Sequence, residues 1–140
     1  MRHTIPVKGF QFEHAFEFSQ ENVARFAEVT GDNNPIHLNE AYAASTPFQK
    51  PIMHGFLSGS VFSKVFGTIY PGEGTIYLEQ QMIFKRPMFA GQRYHAKFTV
   101  VDADPEKGAI TVDCVIVDEN EKVCLQGMAR LLNKSVFQTR

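Results

Sequence analysis

Across residues 56–69, FLSGSVFSKVFGTI, the only charged side chain is Lys64. Read as a helix, this stretch is apolar almost all round, and such a helix has to be buried rather than laid on a surface. Ser58, Gly59, Ser60 and Ser63 let other backbones approach closely, and Gly67 with YPGEG closes the element. Whatever fold the chain adopts must therefore wrap this helix.

The wrapping material follows it. GTIYLEQQMIFKRP, QRYHAKFTVVDAD, GAITVDCVIVDEN and EKVCLQGMARLLNK are rich in β-branched and aromatic residues and partly alternate. DADPEKGA and DENEK between them are turns, and connections this short favour antiparallel neighbours. With one early strand near HAFEF, the expectation is an α+β chain: a five- or six-stranded antiparallel sheet curled round one buried helix. At 140 residues it has material for one core, so residues 1–140 read as a single domain.

A shorter helix opens at Ser19 in SQENVARFAEVTG, with Val23, Phe26, Ala27 and Thr30 at the spacing of one face and Gly31 as its stop. NEAYAAST, residues 39–46, reads as another short helix capped by Asn39. The net charge of −1 and the lack of a basic block interleaved with aromatics argue against a nucleic-acid partner. No apolar run approaches a membrane span, and MRHTIPVKGFQFEHAFEF lacks the apolar core of a signal peptide. A cytoplasmic location is expected. Cys114 and Cys124 are isolated within strand patterns and read as buried, inert thiols.

The chemistry concentrates in TGDNNPIHL, residues 30–38. A helix stop needs only Gly31; Asp32 and His37 exceed that requirement. On an ideal helix, five positions would set them on different faces. Pro35 disfavours helix at Asn34, and Asn33 and Asn34 tolerate tight turns. A turn there could let Asp32 and His37 flank one water as an acid–base pair; a plain polar helix-exit loop is the other reading. In HGF, residues 54–56, Gly55 falls at or just before the start of the apolar helix. Free N–H groups there could meet a substrate carbonyl, or Gly55 could simply start the helix. His54 reads as a histidine that is packed in the core or supports the site from behind, rather than as a metal ligand. No HExxH, HxH or Cys/His cluster occurs, so no metal or other cofactor is expected. Ser63 is expected to face a buried environment and either bond its own helix or point into a site. Its setting, VFSKV, is not a GxSxG elbow.

GDNNPIHLNEAYA, KPIMHGFLSGSVFS and YLEQQMIFKRPMFAGQ, in this order and spacing, resemble the MaoC-like, (R)-specific enoyl-CoA hydratase family from about residue 18 to residue 132. The resemblance implies a hotdog fold, an antiparallel sheet around a long central helix, usually paired as a homodimer. It implies reversible hydration of trans-2-enoyl-CoA to (R)-3-hydroxyacyl-CoA. Asp32 and His37 match the family's catalytic pair, and Gly55 its backbone donor to the thioester carbonyl. Ser63 matches a supporting serine and Asn34 the asparagine of the signature. Lys50, Lys85 and Arg86 flank these segments and are candidates for the CoA phosphates. Phe66, three residues beyond Ser63, would shorten an acyl tunnel and favour enoyl groups of around four to six carbons. The alternatives are a 3-hydroxyacyl-carrier-protein dehydratase, a hydratase of branched or dicarboxylic enoyl-CoA, a hotdog thioesterase, or a non-catalytic acyl-binding subunit. The absence of Asp and Glu from residues 56–69 weighs against the thioesterase, and the presence of both Asp32 and His37 against the last.

Overall fold

The computed structural model describes residues 4–138. The ends of the expected 1–140 domain, and the first three residues of the N-terminal segment read above, lie outside the described residues. The elements run β1 (Gln11–Glu17), α1 (Gln20–Thr30), α2 (Pro35–Leu38), α3 (Glu40–Ala44), α4 (Gly55–Thr68), β2 (Ile76–Gln80), β3 (Ile83–Phe84), β4 (Arg93–Asp104), β5 (Ala109–Val117) and β6 (Val123–Leu132). One antiparallel sheet has the strand order β1-β4-β5-β6-β2, with β3 also pairing with β6.

Alternation along β4 and β5 turns Tyr94, Ala96, Phe98 and Val100, then Ile110, Val112, Cys114 and Ile116, to one face. Leu57, Val61, Phe62, Val65 and Phe66 of α4 are buried with them in one core. Phe62 and Phe66 present edges to Phe98, with ring centroids 5.8 and 5.2 Å apart. Each such side chain contributes roughly 1.5–3 kcal/mol on full burial. The packing matches the hotdog arrangement of a sheet around a helix. Cys114 and Cys124 are buried, unpaired thiols. Among the described residues, no helix is long and apolar enough to cross a membrane.

Burial of α4 is one-sided, contrary to the all-round expectation. Phe56 is 69% exposed, and Ser60, Ser63, Lys64 and Gly67 are exposed as well. These positions recur at helical spacing, so they form a single stripe. Composition marked the helix as unusually apolar but could not separate the face covered by this chain's own sheet from the face left open. Thr30 of α1 is likewise exposed, and its hydroxyl donates to the Phe26 carbonyl at 2.7 Å.

The segment 74–87 is two strands rather than one. Gln80 pairs with Ala129, while Ile83 pairs with Gln126, and the chain between them crosses β6 at Gly127. A Cβ on Gly127 would fall well inside contact distance of the Gln81 backbone carbonyl. Backbone cannot swing aside as a flexible side chain can, so Gly127→Ala should cost about 1–3 kcal/mol or more. Thermal unfolding of the variant should show a clearly lowered Tm; an unchanged Tm would contradict this account of the strand break.

Candidate active site

The site begins with the capping of α1. Ser19 Oγ accepts from the Asn22 N–H at 3.1 Å, and Asn22 Oδ1 accepts from the Ser19 N–H at 2.9 Å. At the other end Gly31 takes φ of 80°, and its N–H donates to the Ala27 carbonyl at 2.9 Å. That left-handed residue turns the chain out of the helix. The Asp32 N–H then donates to Thr30 Oγ1 at 3.2 Å, which leaves the exposed carboxylate free of its own loop's turn.

Residues 35–38 form a helical turn, where the sequence had suggested only a loop. Pro35 stands at the first helical position, where its missing N–H is no loss, so it starts α2 rather than blocking it. Asn34 caps this turn, its Oδ1 accepting from the Ile36 N–H at 3.2 Å. Gln20 Nε2 donates to the His37 carbonyl at 2.8 Å and ties α2 to α1.

The turn swings His37 inward, to 9% exposure. Its Nδ1 lies 2.7 Å from the Ile52 carbonyl. A carbonyl only accepts, so Nδ1 carries the proton and Nε2 keeps a lone pair. Burial lowers the His37 pKa below the ordinary 6.5, opposed in part by the Ile52 carbonyl and by Asp32. The imidazole is therefore neutral at pH 7.

His54, the residue before α4, is 2% exposed. Its Nε2 donates to the Asp32 backbone carbonyl at 2.9 Å, and its ring stacks on His37 with centroids 3.9 Å apart and planes 29° apart. The Phe26 ring lies 4.8 Å away. Asp32, His37 and His54 thus bring ligand-type atoms within 4.8 Å of one another, a grouping that linear motif spacing does not reveal. Two rings so nearly parallel cannot both aim lone pairs at one ion at bonding distance. The trio suits a water molecule and its protons better than a metal.

Gly55 opens α4, where the first N–H groups have no intrahelical acceptor. The Phe84 ring lies directly over it: a Cβ on Gly55 would come within 2.6 Å of Phe84 Cε1. Gly55 and His37 share a cavity of about 550 Å³ with Met53, Phe84, Met88 and Cys124. That is ample for a small acyl group. Lys85 and Arg86 also line it, and Arg86 Nη1 donates to the Val123 carbonyl at 2.7 Å. Cys124 borders the cavity but stays protonated, since burial pushes its thiol up.

His37, Gly55, Lys85 and Arg86 are thus brought to one cavity, and Asp32 stands next to His37 just outside its lining. Three other sequence candidates are not. Ser63 is exposed and lines a separate groove with Phe56, Ser60 and Tyr77 on the outer side of α4. Phe66 is fully buried against Phe98 and Tyr77, away from the cavity lining. Position explains both: Ser63 continues the open stripe of α4, and Phe66, three residues on, falls on the arc facing the sheet. Lys50 is not in the cavity lining; its Nζ stands 4.4 Å over the Phe89 ring. Asn34 shapes the loop through its cap rather than facing the cavity. Sequence reading had passed over the bonds of His54, whose partner Asp32 lies 22 residues away, and the wall formed by Phe84. A side chain at position 55 would have to displace the Phe84 ring.

The chain matches the model of the MaoC like domain over residues 3–121. It is 39% identical over 113 residues to the 3-hydroxybutyryl-CoA dehydratase of Methylorubrum extorquens, covering 81% of this chain and 71% of that protein. It is 38% identical over 112 residues to the (R)-specific enoyl-CoA hydratase of Aeromonas caviae, covering 80% and 84%. The solved (R)-hydratase from A. caviae superposes with a TM-score of 0.87 at 35% identity, over 91% of this chain and 96% of that one. The unliganded R-hydratase of Pseudomonas aeruginosa gives 0.85 at 34% identity, over 91% and 81%.

At neutral pH His37 should carry its single ring proton on Nδ1 and titrate below 6.5. Nitrogen-15 NMR of the histidines across a pH series checks both points. An Nε2-protonated ring, or a midpoint above 6.5, would contradict the bonding described.

Proposed function

This chain belongs to the MaoC-like domain family, and on that premise we propose that it is an (R)-specific enoyl-CoA hydratase. It adds water to trans-2-enoyl-CoA to give (R)-3-hydroxyacyl-CoA and catalyses the reverse dehydration. The observation that carries the reading is the meeting of the Asp32 carboxylate and the His37 imidazole beside the cavity that also holds Gly55.

Hydration needs an acceptor for a proton of water, a proton for the α-carbon, and stabilisation of an enolate-like oxygen. In the proposed mechanism one water sits between Asp32 and His37. Neutral His37, with Nδ1–H held by Ile52, turns an acceptor nitrogen to that water. Asp32 supplies a second acceptor. The water oxygen bonds to C3 as the C2–C3 π bond breaks and its electron pair moves toward the thioester oxygen, and the water's proton passes through the pair to C2. One water accounts for both additions, so no net proton leaves. The Gly55 N–H, at the positive end of α4, holds the thioester oxygen as charge builds on it. Asn34 serves by shaping the turn that joins the pair.

Lys85 and Arg86 are proposed for the CoA phosphates, since both stand at the cavity. The acyl group is proposed to be short, about four to six carbons, with Phe84 rather than Phe66 as the aromatic wall. A second copy of the chain is proposed to cover the open stripe of α4 and the edge strand β2, where Ile76, Tyr77 and Leu78 are exposed. Residues 1–140 are taken to act as one domain. A cytoplasmic setting fits two unpaired thiols.

The test follows the loss of enoyl absorbance with crotonyl-CoA. Asp32→Asn and His37→Ala should each lower kcat by about a hundredfold or more, with folding intact. Near-normal turnover in Asp32→Asn would overturn the mechanism. Removing both Lys85 and Arg86 should raise KM with little change in kcat, whereas Lys50→Ala should leave KM unchanged.

A further inference from the structure

We propose that His54 is the positioning residue that sets the spacing of the catalytic pair and hands the same geometry to Gly55. The inference rests on the hydratase reading above. His54 does not itself line the cavity, yet it contacts His37 and Ser58, which do. It is almost fully buried, yet it is polar. A buried imidazole is costly unless its nitrogens are used. One is used on the Asp32 backbone carbonyl. Nδ1 has no hydrogen-bond partner among the described residues. A phenylalanine would fill that space without burying an unpartnered ring nitrogen, so packing alone does not account for a histidine here.

The position of His54 in the chain supplies the rest. It immediately precedes Gly55, so its backbone is the end of α4, and its carbonyl accepts from the Leu57 and Ser58 N–H groups at 3.1 and 3.2 Å. Its Nε2–H reaches back to Asp32 in the loop after α1. Its ring face lies against His37 in α2. The loop after α1, the turn α2 and the first residues of α4 are therefore registered on one side chain. The loop holding Asp32 is exposed, and its local turn bonds do not link it to α4. The His54 bond is what ties that loop to the start of α4. An offset of about 1 Å between acid–base groups can cost a hundredfold in rate, so such a tie matters kinetically even though His54 never meets the substrate.

Two variants separate the hydrogen bond from the bulk. His54→Gln can place an amide N–H near the former Nε2 and keep the bond to Asp32. His54→Phe keeps a ring against His37 and removes the bond. His54→Phe should lower kcat for crotonyl-CoA hydration by about ten- to a hundredfold with KM changed less than about threefold, while His54→Gln stays within about threefold of wild type. A purely structural role predicts the opposite order, because the phenyl ring fills the space better. Equal activity in the two variants, or a more active His54→Phe, would overturn the inference. If His54→Phe does not fold, His54→Gln still decides: loss of kcat at an unchanged Tm contradicts the proposal.

Amide hydrogen exchange gives a readout independent of turnover. Residues 31–34 should exchange faster in His54→Phe than in wild type or His54→Gln, and equal exchange in all three would overturn the inference. Failure of wild type on every enoyl thioester would sink the hydratase reading alone, with the exchange measurement still deciding the role of His54 in tethering the loop.

Discussion

The packing of α4 on the inner face of β4, β5 and β6 is the constraint on which everything else depends. Leu57, Val61, Phe62, Val65 and Phe66 commit one arc of that helix to the sheet. Committing the arc fixes where the helix begins, and its beginning is where His54 and Gly55 stand. A slip of one residue along α4 would turn each side chain by about 100°. It would take Gly55 from under Phe84 and His54 from behind His37. The core thus determines the site by holding one helix terminus still.

Around that terminus the chain builds its polar geometry almost wholly from backbone acceptors. The carbonyl of Ile52 sets the tautomer of His37, and the carbonyl of Asp32 sets that of His54. Neither needs a second acidic side chain to orient the ring. Asp32 therefore keeps its carboxylate for chemistry while its backbone serves as a structural acceptor. Burial of His37 keeps its imidazole neutral, and the exposed Asp32 keeps access to water. The two halves of the pair differ in environment, the condition under which two neighbouring groups can take different parts in proton transfer.

Much of this was legible in the residues. The caps at Ser19, Gly31 and Asn39, the buried arc of α4 and the alternating strands all follow local rules, and the structure has each of them. The motif segments also pointed to Asp32, His37 and Gly55, and the fold brings these three together. What was hidden depends on contacts distant in sequence. The split of residues 74–87 into two strands comes from the crossing over Gly127, which period-2 patterning cannot register. The resemblance points to Ser63, and spacing from Ser63 points to Phe66, but neither says which arc of α4 the sheet covers. Lys50 flanks a motif in the chain, but its ammonium stands over the Phe89 ring and is not part of the cavity lining. His54 looked like ordinary packing because its bonding partner comes from a different helix exit.

The central claim is that this geometry hydrates an enoyl thioester on one face only. The most direct test is to incubate the wild-type protein with crotonyl-CoA and resolve the hydroxybutyryl product by chiral chromatography. The account predicts (R)-3-hydroxybutyryl-CoA as the product. The (S) isomer, a racemate, or free CoA released without hydration would contradict it.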